Sequence, residues 1–408
     1  MNAKSTTVDA KAMRGSNHSG MRQFNERIVL QAIRHHGEIP KADLARVTQL
    51  STQTVAIIVK RLEDDGLVVK CPRIRGRIGQ PSVPLSLNAS GAYGVGLQVG
   101  RRSLEVMITN FCGQPVWQHE TRYDYPDPRT MTAQIANSLK LARSQLGEQW
   151  SKVVGIGVTA PLSMHQWVDI MGEHASTGLL LWRNYDLQRE VAQLTDLPVV
   201  FAKDTMAACL AELFEGHGRV VRNFLYVFVG TFVGGGLVLD GQLVSGARGN
   251  AGAIGSLPMT TAQTRQQQAP AQLLELASGW QLEQAFMAAG IDPALVHHTD
   301  VMSDGYSAHT SAWLTKASQA LAMTATSAAA FMDLDAVVID GSLGRPLIDA
   351  LIAQTQVKLS DYRLDGLHQP RIVAGRVGPH ARALGGSLIP LHGQFFPSKD
   401  VVLKADQI

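Results

Sequence analysis

The sequence predicts an α/β protein in two parts. A small helix-turn-helix with a β-wing stands at the amino end, followed by a body of two similar α/β lobes facing a cleft. Three observations predict this. Apolar residues between Lys41 and Gly66 recur at three- and four-residue steps, the period of amphipathic helices. From Tyr93 the texture changes to short strands bent at glycines and then to helices alternating with strands, and that cycle runs twice. Charge is lopsided: residues 1–80 hold 14 Lys and Arg against 7 Asp and Glu, or +7, while residues 81–408 hold 23 against 27, or −4. A cationic end on a mildly acidic body is the electrostatic footprint of a duplex-binding module tied to a part that does not bind nucleic acid.

Taken in order, residues 1–20 are rich in Ser, Thr, Asn and Lys and read as a disordered tail with no apolar leader core. Asn25 to His36 reads as a helix, with Phe24, Ile28, Val29, Ala32 and Ile33 as its inner stripe and Gly37 as its stop. Leu44, Ala45, Val47, Leu50, Val55, Ile58, Val59 and Leu62 then outline two helices broken near Thr48 to Leu50. Ser51 suits the cap of the second. Its first turn presents Ser51, Thr52, Gln53 and Thr54, side chains able to enter a major groove, and Lys60 and Arg61 follow, suited to phosphates. An ordinary helical pair with a solvated polar face fits the same pattern. What favours DNA is the next segment, two short β-rich stretches around a loop carrying Arg73, Arg75 and Arg77. Arg75-Gly76-Arg77 makes a cationic clip for a narrow A·T-rich minor groove. The module is placed at 21–88.

The remaining length requires more than one further core, with a first lobe at 89–200 completed by 380–408 and a second at 201–379. Residues 93–121 read as a β-meander; a helix follows from about Thr130 to Leu146, then the strand 153–160, a loop to Trp182, a helix Asp186 to Leu194 and the strand ending at Asp204. The second cycle has a helix from Thr205 to Phe214, the strand NFLYVFVG, a glycine-dense run centred on GLVLDGQLV as one strand, helices from Ala271 to Met332, the strand AVVIDGSL, and a closing strand, turn and helix. Cys71, Cys112 and Cys209 are too scattered for a disulfide framework or a zinc cluster. No segment has the apolar length to span a bilayer, so the expectation is a cytoplasmic protein with no membrane partner.

The winged helix, the meander, GIGVTAP, Lys203-Asp204 and the run VGTFVGGGLVLDGQLVSGARGNAGAIGSLPM, in that order, resemble the ROK family (repressor, ORF, kinase), above all its transcriptional regulators. The likeness extends over nearly the whole chain from about Gly15. It implies an actin/hexokinase-like, ribonuclease H-like body, sugar binding between the lobes, ATP-dependent hexose phosphorylation in the kinase members, and oligomers that set two DNA-binding modules on one operator. Asp204 matches the family's catalytic base and sugar ligand; an N-cap for the following helix is the other role its position suits.

Against that family pattern the cleft is depleted. The first phosphate turn, usually DxGGT, is Gln98-Val99-Gly100-Arg101-Arg102, and the second, usually GTGxGGG, carries Phe232 where a glycine is expected. Gly234, Gly235 and Gly236 then read as close-packing residues, and Asp340-Gly341-Ser342 as a generic strand-end turn. Gly178 stands where members carry an asparagine four residues before the tryptophan matched by Trp182, and Lys203 replaces the asparagine ahead of the catalytic Asp. The motif GExGH becomes Gly252-Ala253-Ile254-Gly255-Ser256, and no downstream cysteines remain for the family's structural zinc. Each sugar hydroxyl left without a partner costs about 1 to 3 kcal/mol, so ordinary hexose binding is weakened unless Lys203, Asn250, Ser256 and Arg248 supply replacements. The expectation is a DNA-binding regulator, a repressor of carbohydrate-related genes, that uses no catalytic residue, metal or cofactor. Its effector site is Asp204, Lys203, Asn250 and Ser256, and its partners are a double-stranded operator, a sugar or polyol, and its own copies as homodimer or homotetramer. A sugar kinase bearing a DNA-binding domain and a ligand-independent regulator are the alternatives.

Overall fold

The computed structural model describes residues 18–72, 83–167, 173–260 and 271–397. Arg73, Arg75 and Arg77, and the expected tail up to residue 17, lie outside the described residues.

The amino-terminal module consists of α1 (His18–His36), β1 (Ile39–Pro40), α2 (Lys41–Thr48), α3 (Thr52–Asp64), β2 (Val68–Lys70) and β3 (Pro84–Leu87). The first helix starts seven residues earlier than Asn25, at His18, and Gly20 is buried, so residues 18–20 belong to the packed module and not to a tail. Strand β3 pairs antiparallel with both β1 and β2, closing a three-stranded sheet under the helices. The break between α2 and α3 is made by Gln49, whose φ of 55° puts it in the left-handed region that ends a helix. Val29, Ile33, Leu44, Val55 and Val59 meet in the centre with no exposed surface. Burying each such side chain is worth about 1.5 to 3 kcal/mol, which is why the three- and four-residue spacing decides the fold here.

The body holds two five-stranded sheets of one design. The first uses β4 (Tyr93–Val99), β5 (Ser103–Asn110), β6 (Pro115–Arg122), β7 (Val153–Ala160) and β8 (Val199–Lys203), in the order β6-β5-β4-β7-β8. Helices α4 (Pro128–Leu146), α5 (Glu173–Leu181) and α6 (Leu187–Ala192) belong to this cycle. Next comes α7 (Asp204–Glu215), leading into β9 (Phe224–Val229), β10 (Val233–Leu239) and β11 (Gln242–Val244). Helices α8 (Leu273–Ala277), α9 (Gly279–Ala288) and α10 (Ser307–Met332) precede β12 (Ala336–Gly341), α11 (Arg345–Lys358), β13 (Arg371–Ala374) and α12 (Ala381–Phe395). The second sheet is β11-β10-β9-β12-β13. In each sheet an antiparallel meander is continued by two parallel strands, the alternation seen in the sequence.

Two expectations are corrected. GLVLDGQLV is a hairpin and not one strand: β10 turns into β11 through Asp240 and Gly241, with φ 53° and 71°, and Leu239 faces Gln242. An Asp-Gly pair with both residues at positive φ is a two-residue turn that matches strand twist. The stretch between residue 161 and Trp182 is also not all loop, for it contains a short 3-10 turn at Met164–Trp167 and α5.

Helices α7 and α12 lie against each other between the sheets, α12 on β4 and β7 and α7 on β10. Close approach is secured by missing side chains. A Cβ at Gly385 would overlap the Ala207 carbonyl, and one at Gly157 the Gly386 carbonyl. Gly236 plays the same part under α7, where a Cβ would come 2.5 Å from that of Cys209. The glycine run of β10 is therefore a packing surface, as its sequence suggests.

Candidate functional site

On α3 the Ser51 hydroxyl accepts from the Thr54 amide at 3.1 Å and meets the Thr54 hydroxyl at 2.8 Å. This is the cap the sequence predicts, and it turns both hydroxyls toward the helix end. The outward stripe is instead Thr52, Gln53, Ala56, Ile57 and Lys60, all exposed, with Ile57 65% exposed. Ile57 was not anticipated from sequence; the signal was a large aliphatic on the polar face, out of step with Val55, Ile58 and Val59. Lys60 has no ion pair among the described residues. Arg61 is less available than expected, because its guanidinium binds Glu26 of α1 at 3.1 Å and lies 4.0 Å from Asp65.

Between the lobes lies a cavity of about 780 Å³. Lys203, Asp204, Asn250 and Ser256 all line it, as expected, whereas Arg248 is exposed and is not among its lining residues. Asp204 opens α7 and is 6% exposed. One carboxylate oxygen accepts the Thr205 amide at 2.8 Å, and the other stands 3.7 Å from the Arg382 guanidinium. Binding only the next amide is a poor cap, so the second oxygen is left to face the cavity and Arg382. Burial lowers the Lys203 pKa from its usual value, opposed by the Asp204 charge. Arg382 lies 4.9 Å over the Phe228 ring, and its Nε is buried without a partner. At the rim the His380 ring meets Glu105 at 2.7 Å, and that hydrogen bond raises the imidazole pKa.

On the side of the same cavity where the family pattern expects phosphates, the lining side chains are tied to one another across the lobes. Arg101 and Arg102, in the turn between β4 and β5, cross to the second lobe and both donate to Glu283 of α9, which has no exposed surface. Arg101 also donates to the Thr231 hydroxyl at 3.3 Å and lies 5.1 Å over the Trp280 ring. His297 donates Nδ1–H to the Ser342 carbonyl at 2.7 Å and brings Nε2 to 3.9 Å from Glu283. Phe232 packs on Trp167 at 5.2 Å between centroids. Gln98, in place of an acid, is buried with its Nε2 unpartnered. This arrangement does not fit a nucleotide with its metal: the carboxylate that would serve the metal is an amide, and the phosphate turn is bound to an internal carboxylate. Gly178 is explained by space, since a Cβ there would lie 2.6 Å from the Tyr125 ring and an asparagine would displace it. Asp340 is more than a generic turn: its carboxylate accepts from Tyr226, Gly341 and Gly378 and ties together β9, β12 and the turn after β13. Among the described residues no group of three or more His, Cys, Asp or Glu is placed to hold a metal ion. Nor is any described helix long and apolar enough to cross a membrane.

Glu283, His297 and Arg382 were missed from sequence. Glu283 did leave a trace, an acid between Leu282 and Phe286 on an apolar face. Arg382 left none, because Asp204, which it approaches, is 178 positions away.

The module and the cleft meet through α1. Arg34 donates to the Phe111 carbonyl at 2.6 Å and stands 5.9, 5.1 and 5.1 Å from the rings of Phe111, Phe214 and Phe396. Burial lowers its pKa to about 10. Arg27 donates to the Phe396 carbonyl at 2.9 Å. Phe214 lies near the end of α7 and Phe396 caps α12, so the two helices that carry Asp204 and Arg382 to the cleft also carry the docking site of α1.

Residues 94–391 match the model of the ROK family, and residues 23–77 match that of the MarR family. The protein y4fQ of Sinorhizobium fredii is 25% identical over 374 residues, 91% of this chain and 92% of its own length. The xylose repressor of Caldicellulosiruptor bescii is 25% identical over 244 residues, 59% of each chain, so the match spans less than two thirds of that relative. The crystal structure of a ROK family transcriptional regulator, a homologue of the E. coli MLC protein, superposes with a TM-score of 0.68 at 20% identity, covering 92% of this chain and 97% of that one.

Proposed function

The chain belongs to the ROK family, and on that footing we propose that it is a sequence-specific DNA-binding transcriptional regulator, a repressor of carbohydrate-related genes. Its body binds a small molecule between the lobes and no longer phosphorylates one. It acts in the cytoplasm as a homodimer or homotetramer on a pseudopalindromic operator. Thr52, Gln53 and Ile57 face the bases, Ser51 and Thr54 build the helix end, and Lys60, with Arg61 once freed from Glu26, holds phosphate. Arg73, Arg75 and Arg77 of the wing approach the minor groove. Asp204, Lys203, Asn250 and Ser256 hold the effector.

The observation that carries this reading is the double role of α7 and α12. At 1.5 Å per residue, helices of 12 and 15 residues are rods about 18 and 22 Å long. Each has one end at the cleft, at Asp204 or Arg382, and the other against Arg34 of α1. A ligand that prefers one lobe spacing displaces the far ends and hence the paired modules, by no more than its differential affinity for the two states. The test is a thermal-shift screen of neutral and acidic sugars and polyols, followed by operator affinity with and without each hit. A ligand at a hundred times its Kd is expected to add about 2.7 kcal/mol of stability and to change operator affinity. If no compound shifts the melt, or hits leave DNA binding untouched, the body is only an oligomerisation scaffold.

A further inference from the structure

The charges at the base of the cleft are not those of a neutral-sugar site. Lys203 and Arg382 flank a single carboxylate, Asp204, and one oxygen of that carboxylate is already taken by the Thr205 amide. The nearest approach of Arg382 to the other oxygen is 3.7 Å, longer than a hydrogen bond. The Arg382 Nε is buried and unpartnered, and the half-buried Lys203 side chain makes no hydrogen bond or ion pair to another described residue. The other charged side chains lining the cavity each have an ion-pair partner: Arg101 and Arg102 share Glu283, Glu105 meets His380, and Arg122 meets Glu120. On the facing loop, Ala253 and Ser256 bring no acid. Two cations therefore share less than one free carboxylate in a partly desolvated pocket. An unpaired cation in such a place is costly unless a ligand completes it.

We propose that the effector is an acidic sugar, a polyhydroxylated molecule bearing a carboxylate or phosphate, whose anionic group lies between Lys203 and Arg382. Its hydroxyls then meet the neutral polar side chains of the same cavity, Asn250, Ser256, Gln166 and Gln272. The inference rests on the reading of the cleft as an effector site and narrows the ligand class. Burial disfavours the charged form of Lys203, with the Asp204 charge offsetting it, so an incoming anion would strengthen the cation.

The test uses the full chain and isothermal titration with matched pairs: glucose against gluconate, glucuronate and glucose 6-phosphate, and xylose against xylonate. Inorganic phosphate and acetate serve as probes of the charge alone. At least one acid is expected to bind about tenfold or more tightly than its neutral counterpart, because a charge-assisted hydrogen bond replaces a neutral one. Whether it is a carboxylate or the phosphate decides between the two sources. In Lys203→Gln, with folding checked by the unliganded melting temperature, the acid-to-neutral ratio is expected to fall toward one, while Lys203→Arg preserves it. The proposal is overturned if neutral sugars bind as tightly as their acids, if Lys203→Gln leaves the ratio unchanged, or if phosphate or acetate alone binds as tightly as any acid sugar. Selection of operator DNA by the unliganded protein is scored separately. Specific DNA binding with no acid preference defeats this inference alone, and acid binding without DNA specificity defeats the regulator reading alone.

Discussion

Glu283 illustrates how a single side chain can settle the state of a cleft. A carboxylate with no exposed surface is expensive unless paired, and here Arg101 and Arg102 pair it from the opposite lobe. These ion pairs run from the β4–β5 turn of one lobe to α9 of the other and so latch the lobes together. Replacing Glu283 with Ala leaves Arg101 buried without a counter-charge, and a loss of about 3 kcal/mol or more is expected by urea denaturation; a loss below about 1 kcal/mol would show that the pairs contribute little. The cleft was only half legible in the sequence. Asp204 and Lys203, which line the cavity, were named because they match a family motif at a strand end, and Gln98 and Phe232 because they depart from that family's pattern. The surroundings of Arg101 and Arg382 were not found, since Glu283, which binds the first, and Asp204, which the second only approaches, lie 182 and 178 positions away, and no periodicity encodes a contact made by two lobes folding together.

At the scale of elements, α3 separates residues that hold the helix from residues that face outward. Ser51→Ala removes the cap and is expected to lower stability by about 1 kcal/mol. Gln53→Ala on the exposed stripe is expected to leave the melt unchanged and to weaken discrimination between DNA sequences; equal effects of the two on stability would refute the assignment. The joint of α1 with α7 and α12 contains His392, stacked on Phe396 and edge-on to Phe214, whose pKa is lowered to about 4 by burial and then by Arg27 and Arg34. The unfolded chain binds that proton near 6.5, so the stabilising effect of the neutral ring is fully present above 6.5 and is lost as pH falls toward 4. Urea midpoints measured from pH 7 to 4 should therefore decline, and less steeply in His392→Gln. An identical slope in the variant would mean the ring is protonated without cost. Helices and strands were legible wherever apolar spacing was sustained, as in α3 or β7. The β10–β11 hairpin was missed although Asp240-Gly241 is itself a turn signal, because the pair sits inside a glycine-dense run that was read as one strand.

At the scale of the molecule, two α/β lobes of one topology grip a cavity, and a cationic winged helix is docked on the far ends of the two helices that line it. The fold class was legible because the meander and its two parallel strands repeat, and because charge divides the chain near residue 80. The docking was not legible, for Arg34 meets Phe111, Phe214 and Phe396 only once three separate segments have come together. The central claim, that this is a regulator reading duplex sequence, is tested most directly by selecting binding sites from randomised DNA at moderate salt. The account predicts enrichment of a pseudopalindrome with half-sites set about one helical turn apart or a multiple of it, together with weaker enrichment for Gln53→Ala. Recovery of DNA with no sequence preference would contradict it.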